Sequence, residues 1–292
     1  MFTLMSSATT GAARLATRID HQFRAPGDPS GVFDSRFNDP FVLKSYGYTA
    51  VAGRYCETIV PFSTLPGSPL FPVGSVERSW MDAYGDALRE EMAPAKEAGL
   101  LVYNHMDFVV IPRALAERYA PQICVPPKTA PPCSFEFNSV TAMLLGVMFD
   151  AMFTLLPDPD GVLVRTGEHY IIDLPFHVAS KPHPASPPWK NPISWLRDEI
   201  ADKRDKVVVW RTWSVHVVTD AGAYVNMTDG IAPHPNLYFS AKHQGWDYWR
   251  CGPRLNLLAA LHPCIAECHS RYHATLQRAR RAFLMWTPRR YI

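Results

Sequence analysis

No apolar run in the 292 residues approaches the roughly eighteen that a membrane-spanning helix needs, so no transmembrane helix is expected. A surplus of one charge sign is missing too: 29 Lys and Arg stand against 27 Asp and Glu, a net +2, which leaves no broad electrostatic footprint for nucleic acid or an anionic membrane surface. Neither is expected as a partner, and any charged ligand must be met locally. Cysteine is sparse, and the six residues (Cys56, Cys124, Cys133, Cys251, Cys264 and Cys268) contain no CxxC pair and no dense disulfide spacing. Cys124 and Cys133 flank a proline-rich loop that a disulfide would close in an oxidising compartment; reduced thiols fit the spacing equally well. Residues 1–16 are small and polar and lack the continuous apolar stretch of a secretory signal. Asn226-Met227-Thr228 is a glycosylation acceptor sequence, a pattern too common to fix the compartment.

Apolar material is plentiful, at 47% of residues, enough for one large core rather than several small ones. Short apolar runs at 15–20, 48–53, 100–105, 161–166, 206–212, 236–241 and 264–269 read as strands. Amphipathic stretches at 79–98, 112–119, 139–155 and 192–203 read as helices between them. Alternation of strand with helix predicts an α/β fold with parallel strands, and the long spacing between strands suits a (β/α)8 TIM-type barrel with loop insertions. The proline-rich segments 61–72, 121–132 and 182–192 read as surface loops. An eighth strand is not evident. Either it precedes residue 15, or the tail from 270 to 292 replaces it, or the barrel is incomplete at its C-terminal end. The expected organisation is an N-terminal tail over 1–14, a barrel over 15–270 and a divergent C-terminal tail over 271–292.

Reacting groups of such barrels stand at the carboxyl ends of the strands, where each apolar run passes into polar residues. Here those ends are rich in ionisable groups: Asp20-His21, Asn104-His105-x-Asp107, Arg165-Thr166-Gly167-Glu168-His169-Tyr170, Arg211-Thr212-Trp213, Lys242-His243 with Asp247 beyond, and Glu267-x-His269. A single Arg or Glu near a strand end is most often half of an ion pair. Six strands ending this way make a constellation. Carboxylates facing one another across a barrel mouth suit glycosidic cleavage, one protonating the leaving oxygen and the other activating water or attacking. Glu168 opposite Asp247 or Glu267 fits that requirement, and Tyr170, Trp213 and Trp246 are of the type that stacks on sugar faces. Arg165, Arg211 and Lys242 add positive charge that a neutral sugar does not need and the carboxylate of a uronic acid does.

The run Val162-Leu163-Val164-Arg165-Thr166-Gly167-Glu168-His169-Tyr170, with Asp173-Leu174-Pro175-Phe176-His177 after it, is similar to a stretch of a group of microbial and fungal glycoside-hydrolase-like barrels. So are Val209-Trp210-Arg211-Thr212-Trp213, Pro233-His234-Pro235-Asn236-Leu237, and Lys242-His243 with Asp247-Tyr248. More distantly, over about residues 15–270, the chain resembles the α-glucuronidases that release glucuronic acid from xylan side chains by an inverting route. The resemblance implies an extracellular hydrolase of plant-type or algal polysaccharide that needs no cofactor. It places the general acid on Glu168, uronate contacts on Arg211 and Lys242 with His243 beside them, and the water-activating role on Asp247. The sequence departs from the family where a glutamate precedes a tyrosine: His273 stands there, in Tyr272-His273-Ala274, and Glu267 is the nearest earlier acid.

Two other functions compete. His21, His105, His169, His243 and His269 near strand ends suggest a metal-dependent barrel hydrolase, but such enzymes open with a His-x-His pair whose imidazoles share one metal, and this chain has Asp20-His21-Gln22. No metal site is therefore expected. A barrel that binds sugar without turning it over is the second, favoured by His273 in place of the later glutamate.

Overall fold

The computed structural model describes residues 3–6, 39–45, 48–67, 69–125, 131, 133–156, 158–165, 174–179, 190–212, 227–242, 264–267 and 283–286. The fold is α/β. Its centre is a parallel sheet in which β2 (Tyr48–Arg54), β3 (Leu101–Asp107), β5 (Gly161–Arg165), β7 (Val207–Thr212) and β8 (Leu237–Lys242) lie side by side in that order. Beyond β8 the backbone pairing passes to β9 (Cys264–Glu267), then β10 (Phe283–Trp286), then β1 (Thr3–Ser6), and β1 pairs back to β2, so the strand order is cyclic. Two short strands, β4 (Val110–Pro112) and β6 (His177–Ala179), form a separate antiparallel pair.

Six of the seven expected strands are present, shifted by a residue or two, while the segment 15–20 lies outside the described residues. Two paired strands, β1 and β10, fall in the stretches expected to be tails, before residue 15 and after residue 270. Neither is prominent in the sequence because each spans four residues, too few for a strand's period-two pattern to stand out.

Strands buried on both faces need apolar side chains throughout, and Gly161, Val162, Leu163, Val164 and Arg165 of β5 are all buried. Glycine at the start of β5 is a packing requirement: a Cβ on Gly161 would stand 2.0 Å from the Val207 carbonyl oxygen, so only a bare Cα lets β5 and β7 approach. One face of the sheet meets the helices, burying Val102, Met106, Val162, Val164, Val208, Trp210 and Phe239. The other face holds a small cluster of Ala50, Tyr103, Leu163 and Val209.

The helices are α1 (Pro40–Ser45), α2 (Val76–Glu97), α3 (Arg113–Ile123), α4 (Ser139–Leu155) and α5 (Lys190–Leu196), the last continuing as a π-helical turn over Arg197–Asp202. Ser75 caps α2 by accepting the Arg78 N–H at 3.2 Å, so the helix starts three residues before the expected 79. Asn138 caps α4 by accepting from Val140 and Thr141, and that helix has the expected bounds. The helix α3 runs past 119 to Ile123 although Pro121 supplies no N–H to its last turn, and Cys124, just beyond its end, forms a disulfide with Cys133 in the segment that leads to α4. Among the described residues no helix is long and apolar enough to cross a membrane.

Candidate functional site

Side chains alternate along a strand, so Tyr103, His105 and Asp107 of β3 share one face, as do Leu163 with Arg165 on β5 and Val209 with Arg211 on β7. Backbone register aligns these strands in rows: His105 pairs with Leu163 and Leu163 with Val209, while two residues further on Asp107 pairs with Arg165 and Arg165 with Arg211. A lower row of His105, Leu163 and Val209 and an ionic row above it therefore stand on the face opposite the helices, at the carboxyl end of the sheet. The structure extends β3 two residues past the expected 105, and that extension brings Asp107 into the ionic row.

Within that row Arg165 and Asp107 form a two-pronged ion pair: Arg165 Nε donates to Asp107 Oδ1, and Nη2 donates to Oδ2 at 2.7 Å. The pair is buried, with side-chain exposures of 9% and 1%. Tyr55, the first residue beyond β2, joins it. The phenol donates to Asp107 Oδ2 and accepts from Arg165 Nη2, each at 3.3 Å. Beside them Arg211, 3% exposed, has Nη1 3.1 Å from His105 Nε2. Because a guanidinium only donates, this contact is a hydrogen bond when the imidazole is neutral with its proton on Nδ1. Two arginines on adjacent strands are held by a carboxylate, a phenol and an imidazole, an arrangement that fixes both guanidinium planes.

Behind β3, on the helix side, lies a second polar group. Asn104, fully buried, donates from Nδ2 to Glu57 Oε2 at 2.9 Å and accepts the Cys56 N–H on Oδ1 at 3.0 Å. Burial pushes the Glu57 carboxyl up to about 8, opposed by the Asn104 bond and assisted by the charge of Asp107. It is thus a largely protonated acid near neutral pH. His177 is the reverse case, pulled down to about 4 by burial, although its contact with the Pro175 carbonyl works against that. Burial and the neighbouring acids Glu57 and Glu91 raise the Cys56 thiol.

Of the sequence-predicted site residues, Arg165 and Arg211 come together at the strand ends. Arg165 is bound to Asp107, the ion-pair half that a strand-end arginine most often is. Lys242 and Glu267 are the last residues of β8 and β9, and their backbones pair directly with each other. Glu168, Asp247, His243, Tyr170, Trp213 and Trp246 lie outside the described residues. Three residues of the site carried no assigned role in it from the sequence: His105 and Asp107, which were named among the ionisable strand ends, and Tyr55. The spacing His105-x-Asp107 in an apolar run was the available signal for the first two, since period two places both on the face of Tyr103. Tyr55 had none, because its place depends on a backbone turn after β2. Among the described residues no cluster of His, Cys, Asp and Glu could hold a metal ion.

No family model and no curated protein matches the chain. Solved structures do. The family 89 glycoside hydrolase from Clostridium perfringens, in complex with 2-acetamido-1,2-dideoxynojirmycin, superposes with a TM-score of 0.57 at 10% identity, covering 98% of this chain and 35% of that enzyme. A GH138 enzyme targeting pectin rhamnogalacturonan II superposes with a TM-score of 0.52 at 15% identity, covering 87% of this chain and 30% of that one. The fold is glycoside-hydrolase-like. At such identities the likeness is one of fold alone, and the chain spans about a third of the length of these two enzymes.

Proposed function

We propose that the chain forms a (β/α)8 TIM-type barrel, running from β1 to β10, that hydrolyses a glycosidic bond to an acidic sugar, a uronic acid in α-glucuronosyl linkage. The observation that carries this is the row of buried arginines: Arg165 and Arg211 occupy consecutive register positions at the carboxyl end of a glycoside-hydrolase-like sheet. Asp107 holds Arg165 and His105 lies against Arg211, so both planar donors are fixed at the strand ends in the form that suits a carboxylate. Arg211 and Lys242 hold the uronate, and Arg165, steadied by Asp107, shapes the same subsite.

The chemistry falls to carboxyls beyond the strands. Glu168, three residues past the end of β5, gives its proton to the leaving oxygen as the glycosidic bond breaks. Asp247 or Glu267 takes a proton from the water that adds to the anomeric carbon. A carboxyl separation of roughly 6.5–9.5 Å marks the inverting route and about 5–5.5 Å the retaining one. Aromatic side chains at Tyr170, Trp213 and Trp246, with His243, complete the sugar subsite. No cofactor enters this scheme. The Cys124–Cys133 disulfide supports folding in an oxidising, extracellular setting where a polysaccharide substrate would be met.

A panel of 4-nitrophenyl glycosides tests the proposal. Cleavage of the α-glucuronide in preference to the neutral glucoside and galactoside is expected. Preference for the neutral sugars would overturn the acidic-sugar assignment.

A further inference from the structure

The turn that follows β2 grips β3 from both sides. Tyr55 begins it in the left-handed region, at φ 54° and ψ 39°, which side chains other than glycine seldom adopt and which needs surrounding bonds to hold it. Those bonds are present: its N–H donates to the His105 carbonyl at 3.1 Å, and its own carbonyl accepts from the Thr58 N–H at 3.0 Å and the Thr58 hydroxyl at 2.7 Å. From this corner the phenol reaches the inner face of β3, onto Asp107 and Arg165. Two residues later, in the 3-10 turn Cys56–Ile59, Glu57 reaches the outer face. There its Oε2 is bonded to Asn104, while Oε1 is buried with no hydrogen-bond partner among the described residues. Asn104 Oδ1, in turn, holds the Cys56 N–H, so one amide side chain fixes both the turn's backbone and its carboxyl.

We propose that this strap, residues 55–59, positions the strand-end site: Tyr55 is a positioning residue for Arg165, and the protonation of Glu57 sets where Tyr55 stands. The proposal rests on the reading that the ionic row binds substrate, and it adds a regulated element to that site. The groups around Glu57 decide the direction of its response. Asp107 on β3, Glu91 and Tyr84 on α2, and Cys56 on the same turn are acidic or neutral. From α4 the Met152 sulfur reaches Asn104, and His177 of β6, which meets the turn at Thr58, is neutral. A negative charge on Glu57 thus meets lost solvation first, at an Oε1 with no hydrogen-bond partner among the described residues, and then repulsion from Asp107, against which stand only the Asn104 and backbone hydrogen bonds. Relief comes from moving the turn, and Tyr55 moves with it because Cys56 links the two residues.

The test uses the full chain labelled with 13C at tyrosine Cζ, with Tyr55→Phe identifying one of the 12 tyrosine signals. Titrated upward from pH 5, the Tyr55 signal should move in a step centred at about 8, and Glu57→Gln should abolish that step. In the same samples Tyr55→Phe should raise KM for 4-nitrophenyl α-glucuronide by about tenfold, with a smaller effect on kcat. A Tyr55 signal without the step, the same step in Glu57→Gln, or a parental KM in Tyr55→Phe overturns the proposal. The Glu57→Gln comparison can be read on the whole tyrosine spectrum, so it does not depend on Tyr55→Phe folding. A parent that shows the step and cleaves no glucuronide supports the coupling and overturns the functional reading.

Discussion

Asp107→Asn isolates the central electrostatic feature of the strand-end face. The substitution keeps the side chain's shape and one carbonyl oxygen while leaving Arg165 a buried cation without its counter-charge. Both side chains are almost fully enclosed, at 9% and 1% exposure, so water cannot replace the lost carboxylate. Removing one partner of such a pair costs about 3–5 kcal/mol, whereas an exposed pair is worth about 0–1 kcal/mol. For a chain of this size that corresponds to a fall in Tm on the order of 10 °C. Urea unfolding followed by tryptophan fluorescence, which the 8 tryptophans make sensitive, reads the cost directly. The paired replacement Asp107→Leu with Arg165→Met should recover most of the loss, since a buried ion pair and an apolar pair of similar volume are close in stability. A single-variant cost below about 1 kcal/mol would refute the inference that the pair is desolvated.

Glu57 makes stability depend on pH. Its folded value of about 8 lies above the ordinary 4.5, so the folded chain holds a proton that the unfolded chain releases. The stability this group contributes is complete below pH 4.5 and is lost as pH rises through about 8. Unfolding measurements on parent and Glu57→Gln should agree near pH 4.5 and diverge in favour of the variant by pH 8, by on the order of a few kcal/mol; parallel profiles would contradict the burial argument. Replacing Cys124 and Cys133 together with serine should cost roughly 2–3 kcal/mol, because the bond closes a loop of sequence separation 9. Mass spectrometry of the unreduced parent should find the bond, and two free thiols at those positions would contradict it.

Much of the fold was legible because periodicity and capping act locally. The bounds of α4 follow from Asn138 and the apolar face after it, and β5 and β7 from apolar runs that a sheet buried on both faces demands. A barrel was expected, but the strands that complete the cyclic order were not located, since β1 and β10 are four residues long and owe their existence to neighbours distant in sequence. Strand-end arginines were visible for the same local reason, as Arg165 and Arg211 each follow an apolar run. Their partners were not. That Arg165 pairs with Asp107 depends on the register of β3 against β5, and Tyr55 enters through a left-handed turn that no residue in the sequence announces. Glu57 was invisible for another reason: a glutamate just past a strand normally faces water, and only the return of the chain toward Asn104 buries it.

The proposed role of Glu168 as general acid of a glucuronidase is tested most directly by comparing the parent with Glu168→Gln. The substrate is a glucuronic-acid-bearing xylo-oligosaccharide, whose poor leaving group needs protonation. The parent should release glucuronic acid, and Glu168→Gln should retain binding with turnover lowered by about 100-fold or more, since the amide keeps the shape but has no proton to give. A variant that releases glucuronic acid at the parent's rate would contradict the account.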